Sequence, residues 1–226
     1  GGGRHAAVAD RGRGRRHEAR IYREPPRQPA RGQRARQRRR VEQLNQIFEL
    51  GQMLQTNVDQ VTMLEAILYS IQQSVGYDTG VVVLADEEAG VMRRVAQVGM
   101  PLDVFESSKS DTLLVADVQD LLADTSYQIS ESYFLPAEKG GLWGIGELAA
   151  LRADFPGRRP LPEPVDNKSW HNGDMLLVPL TAPGGNLLGV ISLDRPQDNQ
   201  RPDRGTMEVL EIFSHQAAAT IENIRL

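Results

Sequence analysis

Residues 173–196 read GDMLLVPLTAPGGNLLGVISLDRP. Two almost unbroken apolar runs, 175–180 and 187–193, flank the turn-forming group Ala182-Pro183-Gly184-Gly185-Asn186. A strand with one wet face alternates apolar and polar residues, whereas a continuous apolar run needs cover on both sides. This hairpin therefore belongs at the centre of a sheet that carries a layer on each face. Pro179 cannot donate to a ladder, so a bulge or a locally unpaired edge is expected beside it.

The flanking sequence supplies material for both layers. Val41, Leu44, Ile47, Phe48, Gly51, Leu54 and Val58 recur at helical spacing. A second helix follows, with Asn57 or Asp59 as cap. Its apolar face is Met63, Leu64, Ile67, Leu68, Ile71 and Val75, and Gly76 stops it. A hairpin comes next, 81–85 and 91–98 around Glu87-Glu88-Ala89-Gly90. Helices followed by a hairpin point to an α+β chain, not to βαβ repeats. Residues 102–108 suit a short helix, 113–118 a short strand, and 147–152 one or two helical turns. Six of the twelve aromatic residues fall between 127 and 170: Tyr127, Tyr133, Phe134, Trp143, Phe155 and Trp170. A loop this long in a compact domain is functional or disordered, and its aromatic content argues against disorder.

Asp203 can cap a last helix. There Met207, Leu210, Ser214, Ala217, Ile221 and Ile224 step 3, 4, 3, 4, 3 as a heptad seam, with Val209, Ile212 and Phe213 as a second apolar face. One face can pack on the sheet while the seam meets a partner helix, so a homodimer is expected. No Gly, Asn or Pro ends this helix, as though it leads onward to an output domain.

Charge divides the chain. Residues 1–40 hold 14 Arg, no Lys and three acids, a net +11, while residues 41–226 carry −15. The first stretch is rich in Gly and Pro and lacks periodicity, so it reads as a disordered tail. Arg clusters do bind phosphate. Tyr22 is the one aromatic among these arginines, however, which weakens the case for single-strand binding, and nucleic acid is not the expected partner. Cysteine is absent, which excludes disulfides, thiolate chemistry and covalent bilin attachment, and fits a cytoplasmic location. No apolar run approaches the roughly 18–20 residues of a membrane span.

Residues 41–226 resemble a GAF domain, the PAS-like sensory domain of multidomain bacterial signalling proteins such as sensor histidine kinases and diguanylate cyclases. The residues that carry the resemblance are LNQIFELGQMLQT, ISESYFLP, WHNGDMLLVPL, LLGVISLDRPQD and EVLEIFSHQAAATIENIRL. The resemblance implies a central antiparallel sheet of about six strands. The N- and C-terminal helices would pack on one face, and long loops would cover the other around a small-molecule pocket. It also implies dimerisation through terminal helices and an output domain beyond this chain.

Catalytic constellations are missing from the sequence. There is no HExxH, GxSxG or P-loop, and GLWGIG neither follows a clear strand nor opens a clear helix. The family's Asn-Lys-Phe-Asp-Glu signature for cyclic nucleotides is not met, since Asn167-Lys168 is followed by Ser169-Trp170. The sequence thus points to a non-catalytic ligand-binding module with a ligand of unknown identity and no metal site. Candidate ligand contacts are the aromatic walls Tyr133, Phe134, Trp143 and Trp170, with Ser130, Ser132 and His171 as polar groups. Asp194, next to Arg195, either shapes the turn through an ion pair or reaches a ligand at the rim. A structural dimerisation module with a vestigial pocket is a second reading, and nucleic-acid binding through the Arg-rich tail is a third.

Overall fold

The computed structural model describes residues 60–138, 148–158 and 160–225. The expected helix over 41–58, the Arg-rich stretch, Trp143 and GLWGIG lie outside the described residues.

Among the described residues seven antiparallel strands form one sheet. They are β1 (Tyr77–Asp86), β2 (Val91–Val98), β3 (Leu113–Leu114), β4 (Gln128–Ile129), β5 (Ser132–Leu135), β6 (Met175–Thr181) and β7 (Leu187–Pro196), in the order β3-β2-β1-β7-β6-β5-β4. The hairpin singled out in the sequence is β6–β7, with β7 at the centre of the sheet. The expected count of about six becomes seven because two-residue strands, β3 and β4, close the two edges. The helices are α1 (Gln60–Ser74), α2 (Leu102–Ser108), α3 (Val115–Ala123) and α4 (Arg204–Arg225).

Each face of the sheet has its own core. On one face α1 and α4 bury Leu64, Leu68, Leu210 and Phe213 against Val82, Leu176, Val178 and Leu193. On the other, α2, α3 and the turn Ala149–Leu151 cover Val81, Val83, Leu177 and Val190. Each large side chain withdrawn from water in this way contributes about 1.5–3 kcal/mol before ordering costs.

Local signals explain most boundaries. Gly76, at φ +89°, ends α1, and the N–H groups of Val75 and Gly76 both reach the Ile71 carbonyl. Asp203 caps α4 by accepting from the Thr206 N–H at 2.8 Å. The segment 113–118 departs from its expected strand, since only Leu113–Leu114 pairs and Val115 onward is helical. Val118 and Leu121 both point into the loop-side core, a spacing of three that a helix satisfies and a strand does not.

Candidate functional site

β5 pairs with β6 only from Leu135↔Met175 to Tyr133↔Leu177. The chain then reverses at Ser130, whose φ of +64° is left-handed, and the outer edge of β6 runs on without a partner strand among the described residues. Pro179 sits in that stretch, and the ladder to β7 slips between Leu180 and Thr181. Both expectations for Pro179, a bulge and an open edge, are met side by side.

A cleft of about 1140 Å³ lies along this edge. Val115, Gln119 and Leu122 of α3 form one wall, and Glu131 and Tyr133 of the β4–β5 region another. Pro179, Asn186 and Leu187 of the β6–β7 hairpin and His215, Ala219 and Glu222 of α4 complete it, with Glu87 at the β1–β2 turn. The Tyr133 hydroxyl donates to the Leu122 carbonyl and so ties α3 to β5, and burial raises its phenol pKa. Among the described sequence candidates for ligand contact, Tyr133 alone lines this cleft.

The same turn fastens α4. Glu211 is 7% exposed, and its carboxylate accepts from Ser130 Oγ at 2.9 Å, the Glu131 N–H at 2.7 Å and Ser132 Oγ at 2.9 Å. One turn on, His215 Nε2 lies 3.1 Å from the Glu131 carboxylate at the surface. Ser130 and Ser132 therefore serve a helix clamp. Glu211 could have been found from the sequence, because it shares the helical row of Met207, Ser214 and Ala218, all buried. An acid in an inward row needs donors, and SES, residues 130–132, supplies them.

The pleat separates the other candidates. Ser132 and Phe134 face the helices, while Tyr133 and Leu135 face the loops. Trp170 is fully buried on the helix side, 5.8 Å from Phe134 and 6.1 Å from Tyr77 by ring centroids. Tyr133 thus stands on the opposite face of the sheet from Phe134 and Trp170, with which it was expected to share one pocket. The Trp170 Nε1–H donates to Asp194 at 3.0 Å.

Asp194 forms its ion pair with Arg158, not with Arg195. Arg158 Nη2 lies 2.6 Å away, and Arg195 contributes its backbone N–H at 2.7 Å. Arg158 also meets Asp154 and donates to Thr79 Oγ1 and the Ala153 carbonyl, which pins the loop to the sheet. Beside it a second cavity of about 570 Å³ is walled by Phe155, Pro162, Trp170 and His171. His171 Nε2 is buried there without a hydrogen-bond partner. The rest of the loop face is filled by Leu148, Ala150, Leu151 and Ala153.

A further charge cluster, built on the buried Asp174 and reaching the surface at Glu138, holds the link between β7 and α4. Arg201 reaches Asp174 through Nε at 2.8 Å and Nη2 at 3.0 Å, and Glu138 at 2.9 and 2.7 Å. The Arg201 hydrogen bond holds the Glu138 carboxyl at about 2, and these carboxylates raise the Arg201 pKa. Arg158 and Arg201 were not singled out in the sequence, because their partners lie far away along the chain.

The heptad seam is consumed within the chain. Met207, Leu210, Ser214, Ala217 and Ile221 are all buried, and only Ile224, 46% exposed, remains outside. The seam faces the sheet and α1 because those supply the larger apolar surface. Among the described residues no helix is long and apolar enough to cross a membrane.

The GAF domain family model matches residues 59–221. Among solved structures, the GAF domain of an Acinetobacter phosphoenolpyruvate-protein phosphotransferase aligns at TM-score 0.54 and 16% identity, over 87% of this chain and 96% of its own. The GAF domain of the corresponding Coxiella burnetii protein aligns at 0.52 and 14%, over 85% and 96%. A GAF domain/HD domain protein from Geobacter sulfurreducens aligns at 0.51 and 15%, over 76% and 98%. No curated protein matches the chain. At such identities the structural likeness speaks to fold alone. The family model spans most of the chain, and the sheet carries its terminal helices on one face and its loops on the other, so this protein belongs to the GAF domain family.

Proposed function

We propose that this chain is a non-catalytic sensory or regulatory GAF domain. A small molecule in the edge cleft shifts how α4 is seated, and α4 relays the change to an output domain. The Glu211 clamp carries this reading. Glu131 lines the cleft, its N–H bonds to Glu211, and its carboxylate meets His215. A ligand that moves the β4–β5 turn must therefore strain or strengthen the hold on α4. Such a population shift needs a ligand with different affinities for the two seatings. The phosphoenolpyruvate-protein phosphotransferase structures are GAF domains taken from larger proteins by their names, which supports a modular role.

The test is a thermal-shift screen of the full chain against nucleotides, amino acids, amines and carboxylates. It is repeated on Ala219→Trp, which fills the cleft from an exposed helix position. The reading expects a compound that raises Tm in the parent protein and not in A219W. Equal shifts in both proteins would move the site elsewhere.

The filled loop face favours a second reading, a structural module whose family pocket is closed by Leu151, Ala153 and the Arg158–Asp194 pair. A second copy would then meet the outward residues Tyr69, Ile212 and Ile224, all exposed. Light scattering showing a dimer, together with no thermal shift from any compound, would select this reading.

A further inference from the structure

The cleft is bounded by four stretches, 77–92, 110–138, 175–194 and 205–224, and none of them contains a Lys or an Arg. Glu87, Glu131 and Glu222 line it, and Asp117 and Asp120 stand on the exposed face of α3 beside it. His215, which faces the Glu131 carboxylate, and the hydroxyls of Tyr133 and Thr181 are the other polar groups of the walls, and the rest of the lining is apolar or amide-bearing. A groove of this kind concentrates negative potential and draws a cation with apolar stems.

The same chain carries such a cation. Residues 1–40 hold 14 arginines and a net charge of +11, against −15 for the remainder. The entry point of this segment is also favourable. α1 reaches β1 through Val75 and Gly76 only, and Leu68 packs on Gly80, so α1 runs back along β1. Gln60 therefore emerges toward the β1–β2 turn and the C-terminal half of α4, the end of the domain where the cleft opens. The 19 residues 41–59 span about 28 Å as the helix their periodicity predicts and up to roughly 65 Å if extended. A tether of this length gives an effective concentration on the order of 1 mM, so several weak Arg–carboxylate contacts suffice to hold the segment.

We propose that the arginine-rich segment, residues 1–40, docks into the edge cleft of its own chain and occludes it. The arrangement makes the cleft self-blocked. A small ligand or an anionic partner for the arginines would act by displacing the segment. The inference does not depend on the cleft being a sensory site, since it concerns only what occupies it in the chain alone.

Trypsin reads the docking directly, because every arginine of the segment is a cleavage site. The full chain and its Glu87→Gln/Glu131→Gln/Glu222→Gln variant are digested at about 0.01 M salt, where the screening length is roughly 30 Å. Loss of residues 1–40 is followed by mass spectrometry. The parent chain is expected to lose the segment about ten-fold more slowly than the variant, as tethered docking requires. At about 1 M salt, where screening shrinks to roughly 3 Å, the parent rate should rise to that of the variant. The salt arm needs no substitution, and a thermal melt checks that the variant is folded. Equal rates for the two proteins at low salt would overturn the proposal. So would protection that grows with protein concentration, which would assign the cleft to another copy. Protection removed by nuclease, the mark of a nucleic-acid partner, would overturn it as well.

Discussion

Glu211→Ala removes the acceptor of three hydrogen bonds at once. Ser130 is half-buried and its hydroxyl can turn toward water, so its loss is the smallest. The Glu131 N–H is fixed by the left-handed turn at Ser130 and cannot turn away. Ser132 is fully buried and has no solvent to reach. An orphaned buried donor costs about 1–3 kcal/mol, and relief of the carboxylate's own desolvation offsets part of the sum. The net expectation is a loss of about 3 kcal/mol, which for a domain of this size lowers Tm by roughly 6–12 °C. Urea unfolding measures the loss. The same substitution in a Ser130→Ala/Ser132→Ala background should cost about 2 kcal/mol less, because two of the three donors are already gone and only the Glu131 N–H remains. A loss below about 1 kcal/mol, or full additivity between the two backgrounds, would refute the clamp.

Other expectations rest on single contacts. Asp194→Asn leaves the Arg158 guanidinium, 7% exposed, with Asp154 as its remaining carboxylate. Breaking one side of a buried pair costs about 3–5 kcal/mol, and the second carboxylate places this case near the lower end of that range in urea unfolding. Gly189→Ala would put a Cβ 2.3 Å from the Val83 carbonyl in the central strand pair, so that backbone must shift. A destabilisation of at least about 1–3 kcal/mol is expected in thermal melts. Glu138 has its folded pKa lowered by Arg201 from an ordinary 4.5 to about 2. Its contribution is therefore full above pH 4.5 and is lost as pH falls toward 2. Glu138→Gln should flatten Tm against pH within that window and leave the slope above it unchanged.

The central hairpin and the final helix were legible in the sequence because their signals are local. Continuous apolar runs around Pro183-Gly184-Gly185-Asn186 give β6–β7, and Asp203 with Met207 and Leu210 gives the start of α4. Residues 113–118 misled because a short apolar run fits strand and helix alike, and only Leu121 beyond it settles the period. The site was less visible. Aromatic residues close in sequence were expected to share a pocket, yet the pleat of β5 sends Tyr133 and Phe134 to opposite faces. The edge cleft arises from where β5 stops pairing with β6, which depends on residues some forty positions apart. Arg158 and Arg201 follow the same logic, since long-range partners leave no trace in local spacing. The heptad seam did identify a packing face, but the sheet took it before any second copy could.

The account rests on the edge cleft and α4 acting as one unit. Amide hydrogen exchange of the full chain, with and without a compound that raises its Tm, tests this most directly. Protection in residues 115–133 together with altered exchange in residues 211–222 is the predicted result. Protection confined to residues 150–172, with α4 unchanged, would place the site under the loop face and contradict the account.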